Sequence, residues 1–160
     1  MYEWIVLLHI VGAFVFVLSH GASAWTALLI RRERDRGRIG AMLEVSQASL
    51  GGTYVGLLLL LIGGIWAGIS GAHFARAWIW AAIVVLVIVI AAMYSIATPY
   101  FGRLREAVGQ TAGRGGRPPE PPASDADLAA LAARAPVAPL LAVGTGGLVI
   151  ILWLMVLKPF

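Results

Sequence analysis

Residues 4–30, WIVLLHIVGAFVFVLSHGASAWTALLI, form an apolar run without one Asp, Glu, Lys or Arg. A helix of about 20 residues crosses the hydrocarbon layer of a bilayer, so this stretch spans it with length to spare. It also holds two of the chain's three histidines, His9 and His20. They are eleven residues apart, close to three helical turns, which puts both rings on one face about 16 Å apart along the axis. Titratable groups inside a span are costly and usually face a bundle interior, a cavity or a cofactor. The first helix is therefore where function should concentrate.

Composition supports the same class. Of 160 residues, 60% are hydrophobic and 12% charged, about half the charge of a typical soluble domain. Cysteine is absent, which excludes disulfides, thiolate metal sites, iron–sulfur clusters and cysteine nucleophiles. Ala22-Ser23-Ala24 has the look of a signal-peptide cleavage site. The start carries Glu3 and no basic residue, and the apolar run continues to Ile30, so the span is read as retained.

Working outward, Arg31 to Arg38 place five arginines in eight residues, with no interleaved aromatics. That is a loop at the membrane surface rather than a nucleic-acid patch. A second helix is predicted over 41–70, embedded over 50–69, with a polar end at Glu44, Ser46, Gln47, Ser49 and Thr53. Gly52, Gly56, Gly64 and Gly68 share a four-residue period on it. Small residues at that spacing admit a neighbouring helix, a flat ligand, a second copy of the chain or a partner membrane subunit. After a short connection containing His73, a third span is predicted over 78–100. It is apolar around its circumference, more polar at Tyr94, Ser95 and Thr98, and near its exit at Pro99. The Gly- and Pro-rich stretch 109–124 reads as a flexible linker. Ser124 and Asp127 have capping-box spacing, which predicts a brief surface helix through Leu128 and Leu131 that stops before Pro136. The fourth span is 137–157.

The expected fold is thus an all-α integral membrane protein, one domain built as an up-down bundle of four transmembrane helices. Ten of its twelve Lys and Arg residues lie in the first-to-second and third-to-fourth connections. By the positive-inside rule, loops 31–49 and 101–136 are cytoplasmic and both termini are outside, as in a multi-pass protein of a bacterial inner membrane.

Imidazole ligates haem iron and copper, and thioether sulfur is a soft partner for either. The candidate cofactor-binding residues are His9 and His20, and the candidate metal ligands are His9, His73, Met93 and Met155. His9 lies near the level of Gly63, Gly64, Trp153 and Met155, about 8 Å in from Trp4. His20 lies at the level of Ser49, Leu50, Thr53, Met93, Tyr94 and Ser95, where it could face a polar pocket. No G-x-S-x-G, H-E-x-x-H or Walker pattern is present, and no intramembrane carboxylate pair exists for acid–base work.

Leu7-Leu8-His9-Ile10-Val11-Gly12-Ala13, followed by small residues and an arginine-rich loop, resembles a known group. It looks like the bacterial predicted integral membrane proteins of unassigned function, of the domain-of-unknown-function 2269 type. These are similar in pattern to the membrane domain of copper resistance protein D and, more distantly, to the four-helix haem-binding protoporphyrinogen oxidase of bacteria. The resemblance implies a first-helix histidine, matched by His9, that meets haem or copper. The leading expectation is a small protein binding b-type haem or copper through the first helix. The alternatives are a small permease or proton-coupled transporter titrating at His20, and an accessory subunit docked through the glycine-striped second helix.

Overall fold

In a computed structural model, which describes residues 1–111 and 122–160, the described residues form five α-helices. They are α1 (Tyr2–Ile30), α2 (Arg36–Ser70), α3 (Ala77–Val108), α4 (Asp125–Ala133) and α5 (Val137–Leu157), with a short 3-10 turn at His73–Ala75. Among the described residues four helical segments are long and apolar enough to cross a membrane: α1, α2, α3, and α5 together with its α4 lead-in. This is the expected all-α, four-helix membrane architecture. Most of the 109–124 linker, with Arg114 and Arg117, lies outside the described residues.

The helix ends follow from local chemistry. Asp35 caps α2 by accepting a hydrogen bond from the Arg38 amide at 2.8 Å, satisfying one of the free N–H groups of the first turn. The helix therefore starts at Arg36 rather than near Ala41, and Arg36 and Arg38 ride on it. Ser124 caps α4 by accepting from the Asp127 amide at 3.2 Å, as the capping-box spacing predicts. Pro99 lies inside α3 and does not end it. The helix runs on to Val108 and stops at Gly109, whose φ of 95° suits a residue without a side chain.

α1 packs along α2, and α3 along α5, while the two pairs touch each other only lightly. Glycine explains the first pairing. A Cβ added to Gly12 would meet the backbone of Leu59 and Leu60, and one on Gly56 would meet the backbone of Phe16. One on Gly63 would lie 2.6 Å from the His9 nitrogen. With lipid on the outside there is no hydrophobic drive between helices, so close backbone approach and the dispersion it allows carry the association. The four-residue stripe faces inward along its length. Gly52 meets Ser19, Gly64 meets the His9 ring, and Gly68 meets Phe74 and Ile79.

The pairs are joined at their two ends. At the arginine-rich end all five helices meet around Ile30, Ile39, Leu43, Leu104, Leu128 and Val137. Leu128 is only 1% exposed, so α4 is a surface helix that docks through one apolar face, with Asp125, Ala126, Asp127, Ala130 and Ala133 exposed. Arg36 clamps this end by donating to Asp125 Oδ1 at 2.7 Å and to the Ala107 carbonyl at 2.8 Å. At the opposite end, Trp78, Ile79, Ala82 and Leu154 form a second cluster. Between them, large apolar side chains such as Phe14, Leu18, Val55, Val84 and Ile88 point outward, as a lipid-facing surface requires. Trp4, Trp66 and Trp153 are also exposed, whereas Trp78 is buried, with the Lys158 ammonium 5.6 Å from its ring centre.

Candidate functional site

The contacts of α1 with α2 fall at His9, Gly12, Phe16, Ser19 and Ser23. Their three- and four-residue spacing is a seam of period 3.5. A straight helix has 3.6 residues per turn, so such a seam drifts around it by about 20° per seven residues. His9 lies in the seam. By His20 the seam has moved on to Ser19 and Ser23, and His20 is left on its flank, turned towards α3 and α5. The two rings expected on one face thus meet different neighbours.

His9 is pressed against α2. Its Nδ1–H donates to the Leu60 carbonyl at 2.7 Å, and a Cβ on Gly64 would lie 2.9 Å from that nitrogen. A histidine whose Nδ1–H is held by a carbonyl keeps its lone pair on Nε2, the arrangement that orients many metal-binding imidazoles.

His20 is half-buried and stacks on Phe16, one turn earlier, with ring centres 5.7 Å apart and planes inclined by 1°. Its Nε2 lies 3.8 Å from where a Cβ on Gly144 of α5 would stand, and the Met93 Sδ of α3 lies 3.9 Å from the same point. One imidazole nitrogen and one thioether sulfur therefore converge on a position that glycine leaves open. The three residues come from three helices and join the two helix pairs.

The hydroxyl pocket expected around His20 does not form. Ser49 donates to the Ser46 carbonyl at 2.8 Å, Thr53 to that of Ser49 at 3.1 Å, and Ser95 to that of Ala92 at 2.9 Å. Each hydroxyl is satisfied by its own helix, a common outcome for Ser and Thr in helices. Tyr94 is 71% exposed and points away.

The remaining candidates lie elsewhere. His73 shares a hydrogen bond of 3.0 Å between its Nε2 and the Tyr2 hydroxyl, and tilts against Trp78. Met155 packs on the Trp78 cluster. Among the described residues no three His, Cys, Asp or Glu side chains come together in a way that would hold a metal. The sequence puts Met93 among the candidate metal ligands at the depth of His20, and the structure adds Gly144 of α5 between them. The only signal for the Phe16 stack was its place four residues before His20.

A second polar feature lies at the arginine-rich end, a cleft of about 420 Å³ bordered by Glu44, Gln47, Arg105 and Gln110. Arg105 donates to the Leu43 carbonyl at 2.8 Å. Glu44 is exposed.

A family model described as "Predicted integral membrane protein (DUF2269)" matches residues 3–159. No curated protein and no solved structure matches the chain. The chain belongs to the DUF2269 family of predicted integral membrane proteins.

Proposed function

We propose that this member of the predicted integral membrane protein family is a metal-handling protein that holds copper(I) between His20 of α1 and Met93 of α3. The observation that supports the reading is the convergence of His20 Nε2 and Met93 Sδ on the open position at Gly144. Thioether sulfur is a soft ligand that selects copper(I) among first-row metals, and imidazole suits the same ion. Methionine's three flexible torsions let its sulfur close on an ion without backbone movement. Apolar surroundings favour a singly charged ion over a divalent one, because the cost of burying charge rises with the charge. Histidine and methionine also ligate haem iron. The space at Gly144 is that of one missing side chain, which suits an ion better than a porphyrin. In the orientation we propose, the arginine-rich end faces the cytoplasm of a bacterial inner membrane, because ten of twelve basic residues lie on that side.

The test is a copper(I) titration of the purified protein against a competing chelator, with the absorption spectrum recorded throughout. His20→Ala and Met93→Leu are expected to weaken binding at least about tenfold, roughly 1.4 kcal/mol. His9→Ala should leave it nearly unchanged. A Soret band in protein expressed with haem supply would replace the ion by b-type haem. Copper affinity indifferent to both His20→Ala and Met93→Leu would sink the site.

A further inference from the structure

A groove enclosing about 600 Å³ runs along the α1–α2 pair at its arginine-rich end. Its walls include Leu18, Gly21, Trp25 and Leu29 of α1 with Met42 and Val45 of α2. The lining is almost wholly apolar, and the one hydroxyl, of Thr26, donates to its own helix at Ala22 over 2.8 Å. A Cβ on Gly21 would meet nothing within 4 Å, so the missing side chain deepens the groove. Trp25 lies along it, 65% exposed.

Both walls lead to an arginine. At the end of α1 the Arg32 amide donates to the Leu29 carbonyl at 3.1 Å. In such an i→i+3 turn residues three apart lie on the same side, so Arg32 follows Leu29 of the groove wall by one turn. On α2, Arg38 lies one turn before Met42 and continues the same face. Arg32 and Arg38 are both exposed. The Glu33 carboxylate is 3.7 Å from one Arg38 nitrogen, which leaves most of the five guanidinium donors open. The neighbouring arginines differ. Arg36 is committed to Asp125 and Ala107, and Arg34 donates to the Ala129 carbonyl at 3.2 Å.

We infer that this groove is a binding site for an anionic phospholipid, with one acyl chain along Leu18, Trp25 and Leu29 and its phosphate between Arg32 and Arg38. An acyl chain gains little by leaving lipid for an apolar groove. Selectivity therefore rests on the headgroup, where two guanidiniums distinguish a net negative charge from a zwitterion.

The experiment uses the full chain with Trp25 as its only tryptophan, the other five replaced by phenylalanine. It is reconstituted in phosphatidylcholine vesicles containing tail-brominated phosphatidylglycerol or tail-brominated phosphatidylcholine at equal mole fraction. Trp25 quenching should report a preference for the anionic lipid, falling by roughly fivefold for each of Arg32→Gln and Arg38→Gln. Arg31→Gln removes the same charge from the neighbouring position and should keep the preference. Equal quenching by the two lipids, or an equal loss in Arg31→Gln, overturns the proposal. Native mass spectrometry of the chain with all its tryptophans gives an independent reading. It should show phosphatidylglycerol retained through detergent and lost in the Arg32→Gln, Arg38→Gln double variant. Retention in that variant counts against the site as well.

Discussion

His9 and His20 share one helix, yet His9 is wedged into the α1–α2 seam with Nδ1 bonded to the Leu60 carbonyl, whereas His20 stacks on Phe16 and turns its Nε2 towards Gly144 and Met93. The difference is one of position relative to a drifting seam, not of residue type or depth alone. In the seam, glycines bring backbones together and leave no space to bind anything. On its flank, where the two helix pairs only touch, Gly144 stands at ordinary contact distance from His20 and Met93. The copper site we propose uses this second seat.

That contrast can be broken at several points. The largest effect is expected from Gly63→Leu, since even its Cβ would fall 2.6 Å from the His9 nitrogen. The pair must open, at a cost of about 3 kcal/mol, the upper part of the usual overpacking range. A lowered Tm in detergent would show it. At Gly146 an added Cβ meets nothing within 4 Å, so Gly146→Leu serves as the control. Equal melting of the two variants would mean that α1 and α2 are not in backbone contact.

A smaller effect sharpens the other side. Gly144→Ala places a methyl at ordinary contact distance, 3.8 Å from His20 Nε2 and 3.9 Å from Met93 Sδ. Folding should change by less than about 0.5 kcal/mol. Copper(I) affinity should fall about tenfold, roughly 1.4 kcal/mol, because the methyl takes the place of the ion. Unchanged affinity would place the ion elsewhere.

The smallest effect is expected from His9→Leu, which removes one hydrogen bond and should cost about 1 kcal/mol in a melting experiment. Copper binding should be untouched. Should this variant instead abolish binding, the seats exchange roles and the seam becomes the functional one.

Much of the architecture is legible in the amino-acid sequence. Four apolar runs bounded by arginines, proline or loop residues, with Ser124 as a cap, are local signals, and each corresponds to a helix in the structure. The misplaced details were those in which a local rule met a non-local partner. The start of α2 moved to Arg36 because Asp35 is a cap that the arginine run concealed. α4 is the surface helix its sequence predicts, but only the structure shows that Leu128 and Ala132 close the five-helix cluster. Ser49, Thr53 and Ser95 looked like the walls of a pocket because a sequence gives their depth and not the direction of their hydroxyls.

The candidate site was less legible. His20 and Met93 were each singled out, but their approach depends on which helices are neighbours, and hydropathy is nearly the same around all four spans. What the amino-acid sequence determined by itself is membrane residence and the number of spans, because burial in lipid is a property of each segment alone. Only the tertiary structure decided which helices pair, and with that the separate seats of His9 and His20. Those depend on where glycines let two backbones close and on how a 3.5-residue seam turns about a 3.6-residue helix.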